Sequence, residues 1–201
     1  MKAESVPREH NSLCQDGARL SMKLDKLPTW NRKDGLLNVV VETTKGGRNK
    51  MKFEPSVGAI SLSRMLPLGL VFPYDFGFIP GTRGADGDPL DVLLIISEPT
   101  TPGCLVRSRL LGVLEAEQRE GRKSIRNDRL IAVAAADESH EETKRLHDLD
   151  EEIISEIKNF FVSYNRGEGR DFVVLGERGP RTAEKLVKRA ASKEKRKKSS
   201  K

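Results

Sequence analysis

The chain has 201 residues, room for one ordinary domain with tails, and its 36% hydrophobic and 33% charged residues describe a globular, surface-rich protein. The formal net charge of +6 is an uneven average: residues 181–201 hold ten Lys/Arg and two Glu, a net +8, which leaves the first 180 residues at −2. A basic end on a slightly acidic body argues for a basic tail and not for a nucleic-acid-binding domain, and no apolar run approaches the roughly eighteen residues of a membrane span.

Residues 1–21 are polar and aperiodic, which predicts a flexible N-terminal arm ahead of a domain spanning 22–192. The start Met1-Lys2-Ala3-Glu4 carries no apolar signal core, and Cys14 and Cys104 have neither disulfide nor metal spacing, so a cytoplasmic location is expected. Leu36–Glu42 reads as a strand, Lys45–Asn49 as a turn and Lys50–Glu54 as the return strand of a hairpin. Gly58–Arg64, Val92–Ile96, Leu105–Leu111 and Leu130–Ala134 add strands at short spacing, the pattern of an antiparallel barrel and not of alternating β-α units. Leu149–Tyr164 keeps helical spacing through Ile153, Ile154, Ile157, Phe160, Phe161 and Tyr164, with acidic Glu151 and Glu152 in its first turn. Gly179-Pro180 opens a second helix with Ala183, Leu186, Val187 and Ala190 inward, and residues 193–201 read as a basic, disordered tail.

The stretch around which this pattern is organised is Phe72-Pro73-Tyr74-Asp75-Phe76-Gly77-Phe78-Ile79-Pro80, followed by Asp86-Gly87-Asp88-Pro89-Leu90-Asp91 and the apolar strand from Val92. Taken alone, DG and DP pairs are ordinary turn chemistry. Asp86, Asp88 and Asp91 held close together repel one another and disfavour each other's ionisation. A hard divalent cation removes that cost, because Mg²⁺ and Ca²⁺ prefer oxygen ligands. The spacing is not that of an EF-hand.

The run Asp86-Gly87-Asp88-Pro89-Leu90-Asp91-Val92, with Phe72-Pro73 and Phe76-Gly77-Phe78-Ile79-Pro80 before it, resembles the signature of the soluble inorganic pyrophosphatases of the small magnesium-dependent type. The resemblance extends from about Leu36 to the helix that opens near Pro180. It implies an α+β, mainly β fold: an OB-like five-stranded antiparallel barrel with two main helices packed on it. It also implies hydrolysis of pyrophosphate to two phosphates in a cup holding several Mg²⁺ ions, with Mn²⁺ or Zn²⁺ as substitutes, and a homo-oligomer, a hexamer for this compact length. Residue by residue, Asp86 and Asp91 match the metal-binding carboxylates, and Asp88 the one that orients or deprotonates the attacking water. Glu42 matches a glutamate of the metal-water shell. Lys52, Glu54, Arg64 and Tyr164 match substrate-side groups.

The chain departs from the family pattern in several places. A D-x(4)-D-x-K pattern is expected to supply an outer metal, and here that region is Glu115 to Arg129. Arg129 stands in for the Lys. Strict spacing puts Asn127 at the Asp position, while Asp128, one residue late, keeps the charge and is the expected ligand. Glu117 is the expected companion acid, with Glu115 and Glu120 as rivals. Phe72 and Phe76 stand where tyrosines are usual, and Asn165 where a lysine is usual, with Arg166 next along to supply the charge. The alternative readings are a weakened pyrophosphatase-like scaffold and an OB-type nucleic-acid-binding protein. The second is disfavoured by the acidic loop. His10, His140 and His147 form no catalytic constellation.

Overall fold

The computed structural model describes residues 23–199, with side chains through residue 196. The expected arm of residues 1–21 lies outside the described residues. Nine strands and two α-helices follow in the order β1 (Leu37–Thr43), β2 (Asn49–Glu54), β3 (Ala59–Met65), β4 (Asp75–Ile79), β5 (Leu90–Ile95), β6 (Leu105–Glu120), β7 (Lys123–Arg126), β8 (Arg129–Ala134), α1 (Glu151–Arg166), β9 (Asp171–Arg178) and α2 (Pro180–Ser199).

Five of these strands close a ring in the order β1-β4-β5-β8-β6, with β6 returning to β1. This is the OB-like barrel that the sequence predicts, with one difference. Every pairing around the ring is antiparallel except β5 with β8, which is parallel, with Val92 opposite Leu130. The segment between β5 and β8 is long enough to bring the chain back in the same direction.

The ring strands are apolar almost continuously because both of their faces are covered. Along β5, Val92 and Leu94 join Val39, Ile79 and Leu130 in a cluster that α2 completes with Ala183 and Val187. Leu93 and Ile95 point the opposite way, into a cluster that α1 completes with Ile154, Ile157, Phe160 and Phe161. Period-2 alternation thus distributes a single strand between two cores.

The predicted hairpin of β1 with β2 does not form. β2 pairs with β3 in a separate two-stranded sheet, joined by a turn in which Gly58 takes φ +72°. Both edges of β1 are already taken, by β4 and β6. The run before the acidic loop becomes a strand, β4, buried along its whole length. β6 continues past Leu111 to Glu120 and folds back as β7, and residues 171–178 form β9 against it. α2 does not stop near Ser192 as the sequence reading had it, but runs to Ser199. Its Lys- and Arg-rich end consists of good helix formers, and Arg83 stands 3.9 Å from Glu194.

At Gly77 of β4 the backbones come unusually close. A Cβ built there would lie 1.9 Å from the Val40 carbonyl oxygen. That neighbour is main chain of a strand held on both edges, so it cannot swing aside. Gly77→Ala is expected to cost about 3 kcal/mol, at the upper end of overpacking penalties. The measurement is the urea-unfolding midpoint beside that of the native chain, and an unchanged midpoint would contradict the close approach of β1 and β4.

Candidate active site

A cup of about 640 Å³ opens between β2, the loop before β5, the start of β8, the far end of β6 and the end of α1. Local rules place its acids. In the loop, Asp86 Oδ1 accepts the Asp88 N–H at 3.1 Å, and the Gly84 N–H donates to the Asp88 carbonyl at 2.7 Å. These bonds wrap the chain around Gly87, which takes φ +97°. Thr82 Oγ1 accepts the Leu90 N–H at 3.0 Å and ties the far end of the loop to the start of β5. Asp86 and Asp88 are exposed on this loop, whereas Asp91 belongs to β5 itself and is half-buried.

Two acids of the cup are paired with cations. Asp88 accepts from Lys52 Nζ at 2.8 Å, and this bond holds the Lys52 ammonium above the usual lysine range. Asp91 pairs with Arg129, the first residue of the parallel neighbour β8. The Arg129 guanidinium is buried and lies 5.1 Å over the Phe161 ring. Lys50 lies 5.4 Å over the ring of Tyr164, which lines the same wall as Phe76.

Glu42 sits behind these groups, only 7% exposed, and accepts the Phe53 N–H at 2.7 Å. Burial pushes its carboxyl up to about 7, against the pull of that N–H, and the nearby Asp91 charge adds to the rise. Glu54, exposed at the rim, is hydrogen-bonded by Ser61. Among the described residues, no group of three or more His, Cys, Asp or Glu side chains is drawn together tightly enough to cage an ion.

Of the residues singled out in the sequence, Glu42, Lys52, Glu54, Asp86, Asp88, Asp91, Arg129 and Tyr164 line this one cup. Arg64 does not line it. Its guanidinium is ion-paired with Glu168 and lies 4.3 Å over the Tyr164 ring, bracing the wall from outside. Arg166, expected to supply a charge, is exposed on α1 away from the cup, and Arg170 lines the cup instead.

The outer-metal acids are also placed elsewhere. Glu117 takes Ser124 Oγ at 2.8 Å and Arg119, which hold its carboxyl below the usual range. Asp128 accepts from Arg126 and from the Ala116 N–H. Glu115 pairs with Arg126 and Arg178, and Glu120 with Arg170. None of these four acids lines the cup, whereas Gln118 and Asn127 do. Alternation along β6 puts Gln118 on the cup side and Glu117 on the other. Sequence reading missed Gln118 because it ended this strand at Leu111, and missed Arg170 because β9 was not recognised. The apolar run Phe172-Val173-Val174-Leu175 is the signal that was available for β9.

Phe72 is fully buried in an aromatic cluster, 5.1 Å from Phe160, so a hydroxyl at this position would have no polar surroundings to enter. Asn165 turns back to donate to the Phe161 carbonyl at 2.7 Å. Asp75, completely buried, binds the Lys45 N–H and both the N–H and hydroxyl of Thr100, a structural knot below the cup.

An OB-like ring carrying a cup of alternating carboxylates and cations defines a class: barrel proteins equipped to hold a phosphorylated anion. The family model described as inorganic pyrophosphatase matches residues 39–195. The inorganic pyrophosphatase of Nostoc sp. is 36% identical over 155 residues, covering 77% of this chain and 89% of that protein. That of Thermus thermophilus is 35% identical over 147 residues, covering 73% and 82%. The crystal structure of the Thermus thermophilus inorganic pyrophosphatase superposes with a TM-score of 0.78 at 32% identity, over 86% of this chain and 99% of that one. The chain belongs to the inorganic pyrophosphatase family.

The raised Glu42 carboxyl has a measurable consequence. Between about pH 4.5 and 7 the unfolded chain has released this proton while the folded chain keeps it, so stability falls as pH rises through that window. Glu42→Gln retains an oxygen for the Phe53 N–H and removes the titration. Without divalent cations, the variant is expected to match the native chain near about pH 4 and to exceed it near about pH 8, by at most about 3 kcal/mol. Urea unfolding at the two pH values reads the difference, and a pH-independent gap would contradict the assignment.

Proposed function

We propose that this chain hydrolyses inorganic pyrophosphate to two phosphates, with the work divided among the residues of the cup. The observation that carries the reading is the pairing of acids with cations in one concavity: Asp88 with Lys52 and Asp91 with Arg129, beside Asp86 and Glu42. Acids alone would repel the highly charged anionic substrate, and cations alone would hold it without activating water. Arg129 Nε is buried with no protein partner, a donor that a phosphate oxygen would satisfy.

The donor set fits a hard divalent cation. Asp86 and Asp91, with Glu42 behind them, offer carboxylate oxygens only, the preference of Mg²⁺, and Mn²⁺ or Zn²⁺ could substitute. When bound, such a cation acidifies water and screens phosphate oxygens. Asp88 then orients the attacking water and takes its proton. The water oxygen attacks phosphorus in line with the bridging oxygen, whose bond to that phosphorus breaks, and the electron pair leaves with the second phosphate. Lys52 and Arg129 take up the charge growing there, Lys as a point charge and Arg as a planar fork. Tyr164 offers its hydroxyl to a phosphate oxygen. Glu54 stands at the rim, where it helps hold the substrate with its accompanying metal.

Location and assembly complete the reading. A cytoplasmic site of action is proposed with it, and no helix among the described residues is long and apolar enough to cross a membrane. A homo-oligomer is proposed as well, a hexamer first. Met65 and Leu68 are exposed at the β3 end and offer apolar surface for a copy to cover. Light scattering of the whole chain reads the state directly.

The deciding experiment is phosphate release from pyrophosphate by the whole chain, with and without Mg²⁺, beside Asp88→Asn. Mg²⁺-dependent release is expected, abolished by a chelator, and reduced roughly 10²–10⁴-fold in the variant, the range for loss of a general base. No release from folded protein with Mg²⁺, Mn²⁺ or Zn²⁺ would overturn the reading in favour of a pyrophosphatase-like scaffold.

A further inference from the structure

The wall of the cup built by β6, the β7–β8 connection and the start of β9 differs in kind from the wall that carries Asp86 and Asp91. The family resemblance places an outer divalent cation there, and the residues present do not fit one. Gln118 and Asn127 are the side chains that β6 and the β7–β8 connection turn into the cup, and both are neutral amides. Asn127 Nδ2 and the near end of the Gln118 amide are 2.6 Å apart. An amide's oxygen and nitrogen are assigned from their partners. With its oxygen toward Arg170, Gln118 accepts from Nη1 at 2.9 Å and from Nε at 3.1 Å.

An amide has a single oxygen to offer. That of Gln118 is taken by a guanidinium, and a dication bound to it would stand against that positive charge. A carboxylate such as Asp91 keeps a second oxygen after pairing with a cation. Glu168 also faces the cup near Arg170, but it is held by Arg170 at 3.1 Å and by Arg64. The acids that could have served, Glu117 and Asp128, are locked by hydrogen bonds on the far side of the same strands.

We propose that Gln118, Asn127 and Arg170 form an anion subsite that takes a phosphate oxygen of the substrate directly, in the place of an outer metal. The proposal rests on the pyrophosphatase reading for the identity of the substrate and deepens it. The two amides present N–H donors, and Arg170, about one-third exposed, presents its guanidinium. These are recognition elements for phosphate oxygens that need no bridging ion. The chain then needs only the cations that the Asp86–Asp91 side can hold, and its rate depends on divalent-ion concentration with a correspondingly lower order.

The test counts ions and measures anion affinity without hydrolysis. Bound Mn²⁺ is titrated by electron paramagnetic resonance, and binding of imidodiphosphate, a slowly cleaved analogue, by calorimetry. In the whole chain, Glu117→Gln and Asp128→Asn are expected to leave the number of bound Mn²⁺ ions unchanged, with and without the analogue. Arg170→Ala is expected to weaken analogue binding roughly tenfold or more, the value of a charge-assisted contact, with the ion count unchanged. Asn127→Asp is expected to add a bound ion. Loss of an ion in Glu117→Gln or Asp128→Asn, or analogue affinity unaffected by Arg170→Ala, would overturn the proposal. Because ion count and analogue affinity need no turnover, a chain that binds as expected but releases no phosphate refutes the hydrolytic reading and leaves this one standing. A chain that releases phosphate but loses an ion in Asp128→Asn does the reverse.

Discussion

The double pairing of β1 is the constraint on which the structure depends. It is bonded to β4 along one edge and to β6 along the other, which closes the ring and leaves no open edge there. Closure requires the β1 and β4 backbones to meet at a separation that only glycine at position 77 allows. It also excludes β2 from the ring, so β2 and β3 stand off as a separate ribbon. That ribbon carries Lys52 and Glu54 across to the acidic loop. The topology that denies β2 a place in the barrel therefore supplies one wall of the cup.

Two ion pairs counter part of the acidity of the cup. Carboxylates gathered in a concavity are costly unless countered, and here Lys52 and Arg129 counter Asp88 and Asp91. Glu42, buried and held by the Phe53 N–H, has no ion-pair partner of its own among the described residues, and its raised titration marks the cost of its burial. The same cations that pair with these acids have the right sign for a phosphorylated substrate. The opposite wall follows a different principle, since neutral amides stand there in place of carboxylates, beside an Arg170 that is paired with Glu168.

Much of this was legible in the residues. The acidic run from Asp86 to Asp91 with a buried strand behind it, the helical spacing from Ile153 to Tyr164 and the barrel class were all readable, because each rests on short-range pattern or on a long motif. The failures have a common cause. β4, with Phe76-Gly77-Phe78 between prolines, was not among the strands expected, because its glycine and prolines carry turn signals that ring closure overrides. The far half of β6 is highly charged and shows no apolar alternation, so its pairing with β7 and β9 was invisible. Asp128 was preferred over Asn127 on charge, yet the geometry of the β7–β8 connection turns Asp128 to the Ala116 N–H and Asn127 to the cup.

By itself, the sequence determined the residue types, the strand-and-helix class and the acidic motif, since local spacing encodes these. Only the tertiary structure decided which acids share the cup. A one-residue difference on a strand reverses the face of a side chain, and the register of β6 against β7 and β9 is set by long-range pairing. The same pairing replaced Arg166 with Arg170 and the expected carboxylates with Gln118 and Asn127. Strict motif spacing pointed to Asn127 and charge overruled it, whereas for Gln118 the difference is which side of a strand faces which cavity, and no local pattern carries that.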